Sequence, residues 1–131
     1  MRYTMDEKIA PQAVADLRQA VGWNRMEAEL MNPQLHNSFE LGCWEDARLI
    51  GYLCVVSNGV TDAYIQDVMV APGYQRQGIG TKLMQMAIDR IRKMGIYAIS
   101  VIYGEAGLRG FYERFGFFTM LCGQMETRKI P

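Results

Sequence analysis

The stretch Val68-Met69-Val70-Ala71-Pro72-Gly73-Tyr74-Gln75-Arg76-Gln77-Gly78-Ile79-Gly80 carries an apolar strand through a loop with two glycines and straight into a helix over Thr81 to Met94. A helix start leaves its first backbone N–H groups without partners and carries a partial positive charge, so it suits a phosphate. Gly78 and Gly80 have no Cβ, which permits positive φ and lets a ligand approach the amides closely. The helix is marked by one apolar stripe, Ile79, Leu83, Ala87, Ile88, Ile91 and Met94. Arg90, Arg92 and Lys93 fall in its last turn, where cations suit the dipole, and Gly95 is its stop.

Two glycines at a helix start do not by themselves name the anion, and an ordinary strand-to-helix turn carries them too. A mononucleotide loop needs Gly-Lys-Ser/Thr, which does not follow these glycines, and a dinucleotide fingerprint needs a third glycine where Leu83 stands. The longer string is more specific. Gln75-x-x-Gly78-x-Gly80, preceded by a strand ending Val70-x-Pro72 and followed by an amphipathic helix, resembles the acetyl-coenzyme A loop of the GNAT N-acetyltransferase superfamily. Downstream, Tyr112-Glu113-Arg114-Phe115-Gly116-Phe117 is similar to the Tyr-Glu-x-hydrophobic-Gly-Phe signature of the same family. The resemblance covers about residues 48 to 118 and implies acetyl transfer from acetyl-CoA to an amine.

The bulk composition agrees. A chain of 131 residues is expected to form a single domain over residues 1–131 and to bury roughly two-thirds of its unfolded surface. Fourteen basic and fourteen acidic side chains balance, so composition gives no support for nucleic acid or an anionic membrane as partner. The longest apolar run, Leu49 to Val56, is too short to span a bilayer, and the N-terminal residues lack an apolar signal core, so a cytoplasmic location is expected. Cys43, Cys54 and Cys122 are odd in number and far apart, and His36 is the single histidine. Neither a disulfide framework nor a metal site is expected, and each cysteine reads as a small buried residue, as most of the ten methionines read as core or pocket filling.

Periodicity predicts a first helix over Pro11 to Ala20 and a second over Trp23 to Met31, ending before Asn32-Pro33. Strands are predicted around Phe39 to Trp44, over Leu49 to Ser57 and over Ala63 to Val70, with Asn58-Gly59 as the hairpin turn. After the central helix come a strand over Ile96 to Tyr103, a short helix around Leu108 to Phe115 and a last strand within Phe118 to Lys129. That order is the α/β fold of the GNAT resemblance, which implies a mixed central sheet splayed between two parallel strands and flanked by helices.

The resemblance also implies a site. The amides of Gln77, Gly78, Gly80 and Thr81, helped by Gln75 and Arg76, would cradle the pyrophosphate, and the backbone of Val68, Met69 and Val70 would pair with the pantetheine arm like an added strand. A backbone N–H of that strand would stabilise the oxyanion formed when the amine attacks. Tyr112 matches the tyrosine that protonates the departing thiolate, although Leu108, Phe111, Tyr112 and Phe115 also form a helical stripe that suits a core residue. Where relatives often carry a basic Glu or His, this chain has Tyr64 and Gln66. Strand alternation puts Asp67 on the opposite face from them, which favours a structural role, and the base stays unassigned. Glu105, where many relatives have Asn, is a candidate base, coenzyme contact or surface residue.

Acceptor choice is expected to rest on the N-terminal part. Gly22-Trp23-Asn24 followed by Asn37-Ser38 resembles small bacterial and plastid members related to arylalkylamine acetyltransferases, with Trp23 and Tyr64 as pocket walls beside Met31. A small-molecule amine is the expected partner. A peptide acceptor and a non-catalytic acyl-CoA-binding module stay open as alternatives, and a homodimer through Phe117 to Met125 is expected from the family.

Overall fold

The computed structural model describes Met1–Pro131. Along the chain it forms β1 (Arg2–Thr4), α1 (Pro11–Ala20), α2 (Glu27–Leu30), β2 (Phe39–Glu45), β3 (Arg48–Ser57), β4 (Asp62–Val70), α3 (Ile79–Lys93), β5 (Ala98–Val101), a 3-10 turn (Ala106–Leu108) and α4 (Arg109–Glu113). One sheet holds the strands in chain order. β1 to β4 pair antiparallel, and β4 pairs parallel with β5, with α3 as the crossover between them.

The apolar stripe of α3 explains where it lies. Ile79, Leu83, Ala87, Ile88 and Ile91 are buried, while Met94, past the helix end, is exposed. The contact is close at Gly51, where a Cβ would stand 2.8 Å from Ile79 Cγ2 and 3.1 Å from Leu83 Cδ1. The other face of the sheet is covered by α1, which buries Val14, Ala15, Leu17 and Arg18. Both helices close with a glycine in the left-handed region. After α1, Gly22 (φ 91°) and Trp23 donate to the carbonyls of Gln19 and Arg18, and after α3, Gly95 (φ 75°) and Ile96 donate to those of Arg92 and Ile91.

β4 carries a bulge that its sequence does not announce. Cys54 pairs with Gln66 but Tyr52 with Met69, so Asp67 and Val68 together oppose Leu53, and Asp67 takes φ 54°. Alternation restarts after it. Tyr64 and Gln66 pair with Val56 and Cys54 on the α1 side, and beyond the bulge Met69 pairs with Tyr52 on that side while Val70 lies toward α3. Asp67 therefore shares the α1 side with Tyr64 and Gln66, correcting the expectation that it faces away.

Other expectations are corrected as well. The second helix is confined to Glu27–Leu30, because the Trp23 N–H caps α1 and the Asn24 carbonyl accepts from Arg18 Nε at 2.7 Å. The strand predicted over Ile96 to Tyr103 pairs only at Ala98–Val101, since β4 departs at its bulge. No strand forms in 118–131: no backbone hydrogen bond involves these residues, and without a ladder an apolar stretch is not a strand. Phe118, Met120, Leu121 and Met125 are exposed there, and so is Cys122, unlike the buried Cys43 and Cys54. Only Met69 and Met84 of the methionines are buried.

Candidate active site

β4 and β5 pair from Asp62↔Ala98 to Ile65↔Val101 and then part. From Gln66 onward the β5-facing edge of β4 has no neighbour, so Val68, Met69 and Val70 present strand backbone to a cleft. The exit of β4 is pinned by the Ala71 N–H on the Ile50 carbonyl at 2.8 Å.

The loop beyond is braced by its own side chains. Gln75 Nε2 donates to the Val70 carbonyl at 3.0 Å and Gln77 Nε2 to the Gly73 carbonyl at 3.2 Å. Positive φ at Gly73, Arg76 and Gly78 turns the chain into α3. The backbone N–H groups of Gln75, Arg76, Gln77, Gly78, Ile79, Gly80 and Thr81 donate to no protein oxygen, and no side chain caps α3. Such a run of amides at the start of a 15-residue helix fits a pyrophosphate. Gly80 leaves space without strain, since a Cβ there would lie 3.5 Å from Phe111 Cζ.

α4 joins this loop to β5. Phe111 approaches Gly80, Arg114 Nη2 reaches Thr81 Oγ1 at 3.5 Å, and Tyr112 is buried with its ring 4.8 Å from that of Tyr103. Burial first, and then the neighbouring Tyr103, raises the Tyr112 pKa above the usual phenol value, so it holds its proton at neutral pH. Tyr112 is thus both core and a candidate acid, which joins the two sequence readings. Glu105 is exposed at the head of the 3-10 turn and its side chain caps nothing.

On the α1 side of the cleft stand Tyr64, Gln66 and Asp67. Cys54 Sγ lies 3.8 Å from Gln66 Oε1, and burial, reinforced by the charge of Asp67, pushes its thiol up to about 12. Tyr64 is raised too, first by burial and then by Asp67. Asp67 Oδ2 accepts from Arg18 Nη1 at 3.2 Å. The same guanidinium donates to the Asn24 carbonyl and, at 2.9 Å, to Asn24 Oδ1, and its carbon lies 5.4 Å from the centre of the Trp23 ring. Trp23 is thereby linked through Arg18 to the side of β4 that carries Asp67. Sequence reasoning missed Arg18, although its position four residues after Val14 on the buried stripe of α1 was a readable signal. It misplaced Asp67, for which no signal preceded the bulge.

A groove of about 780 Å³ runs along the outer side of β5, lined by Tyr64, Tyr97, Val101, Tyr103, Phe117 and Leu121 among others. A smaller cavity of about 270 Å³ lies against α1, where the hydroxyl of Tyr52 donates to Glu40 Oε2 at 2.6 Å and His36 stands at the rim. No helix is long and apolar enough to cross a membrane.

The model of the acetyltransferase (GNAT) family matches residues 7–117. An uncharacterised ycf52-like N-acetyltransferase of Prochlorococcus marinus is 32% identical over 105 residues, covering 76% of this chain and 58% of the relative. Histone acetyltransferase TAP1 of Glycine max is 30% identical, covering 81% of this chain and 49% of that one. Serotonin N-acetyltransferase 2 of Oryza sativa is 30% identical, covering 74% and 50%. The chain spans about half to three-fifths of the length of these curated relatives. Among solved structures, a GNAT family protein of Streptococcus pneumoniae superposes with a TM-score of 0.79 at 26% identity, covering 98% of both chains.

Proposed function

The chain belongs to the GNAT acetyltransferase family, and from that premise we propose that it moves an acetyl group from acetyl-CoA to the primary amine of a small molecule within a ternary complex. The observation that carries this reading is the combination of three features: the parted strands β4 and β5, the seven uncommitted amides from Gln75 to Thr81, and Tyr112, stacked on Tyr103 beyond β5 and next in α4 to the Phe111 that approaches Gly80.

In this reading Val68, Met69 and Val70 offer strand backbone to the pantetheine arm, and the amides of Gln75, Arg76, Gln77, Gly78, Gly80 and Thr81 hold the pyrophosphate. Acetyl-CoA supplies the activated acetyl thioester. Tyr112 gives its proton to the departing sulfur as the new C–N bond replaces the C–S bond, and the proton shed by the attacking nitrogen passes through water and restores the phenol. Burial that raises the phenol pKa would raise that of a thiol in the same place, as it does for Cys54, so donor and acceptor stay matched. No metal is needed for this chemistry, and Trp23, Tyr64 and Gln66 stand on the acceptor side.

The histone acetyltransferase among the relatives favours a second reading, acetylation of a protein amine. The exposed apolar residues Phe118, Met120, Leu121 and Met125 support association of two copies through the C-terminal segment. Thiol release from acetyl-CoA, measured against arylalkylamines, polyamines, amino acids and histone-tail peptides, separates the acceptor classes. Turnover on small amines alone is the expected result; preference for the peptides would transfer the reading to protein acetylation. Coenzyme binding without turnover on any of them would leave a binding module. Sedimentation of the same preparation tests the dimer.

A further inference from the structure

The Arg18–Asp67 pair is built in a way that a purely structural ion pair does not require. Arg18 is 7% exposed, yet of its donors Nε and Nη2 go to Asn24 and only Nη1 reaches Asp67. The contact is therefore single rather than the two-pronged fork that makes arginine–carboxylate pairs strong. Asp67 Oδ1 has no partner, and about a third of the side chain, 34%, is open to solvent.

Asp67 sits two residues past Ile65, where β4 and β5 stop pairing, and its left-handed φ of 54° is what turns it to the α1 side with Tyr64 and Gln66. A non-glycine residue in that region is uncommon, and strain of this kind gathers at functional sites. Glu40, the other mid-sheet carboxylate of this face, makes a useful contrast. Both its oxygens are occupied, one by the Ile9 N–H at 3.3 Å and one by the Tyr52 hydroxyl, so it has nothing left for a ligand.

Resting on the acetyl-transfer reading above, we propose that Asp67 recognises the acceptor in its ammonium form, which releases one proton to solvent before the neutral amine attacks, and that Arg18 is the positioning residue that orients the carboxylate. At neutral pH most primary amines are cationic, and a half-engaged, partly exposed carboxylate on the unpaired part of β4 is the group that selects them over neutral or anionic molecules of the same shape. Arg18 also ties this selection to the loop after α1. It holds Asn24 by the carbonyl and the side chain, and Trp23 stacks on it, so the aromatic wall and the charge that meets the amine are carried by one guanidinium. The chemical class that fits is a small primary amine with an apolar or aromatic body and no carboxylate beside the nitrogen.

The test uses the full chain with acetyl-CoA and three probes, phenethylamine, butylamine and spermidine, with 2-phenylethanol as a neutral competitor. Asp67→Asn is expected to raise KM for the amines at least tenfold, to leave KM for acetyl-CoA within twofold, and to leave inhibition by 2-phenylethanol unchanged. Arg18→Lys, which keeps the charge and cannot hold Asn24 and Asp67 together, is expected to raise amine KM about threefold to tenfold. If Asp67→Asn alone fails to fold because Arg18 is left buried and unpaired, the double variant Arg18→Gln with Asp67→Asn removes both charges and is read the same way. Folded variants that keep the wild-type KM for every amine would overturn the proposal while leaving acetyl transfer intact. So would a wild-type enzyme that acetylates only amino acids or uncharged acceptors. Acetyl-CoA binding with no amine acetylated at all would instead remove the acetyl-transfer reading, and this proposal with it.

Discussion

The ring of Tyr103 lies 4.8 Å from that of Tyr112 and 17° from parallel, so the residue just beyond β5 clamps the tyrosine of α4. Edge contacts from Phe111 and Phe117 close two further sides of Tyr112. With the ring held by stacking rather than by its hydroxyl, Tyr112→Phe is expected to keep the fold and the affinity for acetyl-CoA and to lower kcat by about a hundredfold or more. Steady-state kinetics beside calorimetric coenzyme binding check both halves. Because the Tyr112 pKa is raised, loss of its proton should not depress the rate below about pH 10.

The two glycines of the loop should part company under substitution. Gly78 has φ 85°, so Gly78→Ala should cost about 1 kcal/mol or more of stability whatever the space around it. Gly80 lies in the first turn of α3 with ordinary contact distances waiting for a Cβ, so Gly80→Ala should leave stability unchanged or improved by a few tenths of a kcal/mol. If Gly80 is there to let a phosphate close on the amides, its variant nonetheless loses coenzyme affinity. Urea unfolding and coenzyme titration of the two variants, side by side, would show a stable Gly80→Ala protein with unimpaired binding if that is not its role.

Gly51→Ala is expected to destabilise by about 1–3 kcal/mol, because the new methyl meets Ile79 and Leu83 and must push α3 outward. Ile79 follows Gly78 directly, so the displacement should reach the amide run and weaken coenzyme binding from the far side of the helix. A thermal melt with and without coenzyme A reads both effects. A variant that loses stability yet gains the full ligand-induced shift would show that the head of α3 does not move.

Stability should fall on the alkaline side partly through Cys54. Its thiol is neutral in the folded protein up to about pH 12, while an unfolded cysteine ionises near 8.5. The raised pKa leaves stability intact below about pH 8.5 and removes it progressively up to about pH 12, at about 1.4 kcal/mol per pH unit. Tyr52, raised still further by burial, adds to the loss once unfolded phenols ionise. Denaturation midpoints at pH 7, 9 and 10.5 should drop less steeply in Cys54→Ala than in the parent, and equal slopes would count against this assignment.

What could be read from sequence, and what could not, divides along the range of the forces involved. The α3 stripe, its basic last turn and Gly95 are local features, and the helix lies where they put it. The paired motifs at Gln75 to Gly80 and Tyr112 to Phe117 were legible as a family resemblance, and the backbone accounts for Gly78 and Gly116, which hold positive φ, but not for Gly80. The bulge at Asp67 was not legible: Gln-Asp-Val alternates like its neighbours, and the partner that its carboxylate meets, Arg18, lies 49 positions earlier. The second helix failed for a similar reason, since Asn24 spends its carbonyl on that guanidinium. The predicted last strand had the right composition, but residues 118–131 run beside the open edge of β5 without forming a ladder to it, and composition does not report pairing.

β5 hangs on the rest of the sheet by pairing over only Asp62–Ile65 with Ala98–Val101, whereas β2 and β3 pair along most of their length. The stretch that carries Tyr103 and Tyr112 thus follows a ladder of four residue pairs, and the longer β2–β3 and β3–β4 ladders are expected to stay folded if it swings aside. In hydrogen exchange this would appear as a sub-global opening in which the amides of Ile99 and Val101 lose protection well before those of Leu41 and Leu53. Breathing of that kind widens the gap between β4 and β5 without disturbing the core, which gives a long, bent ligand a way in from the side.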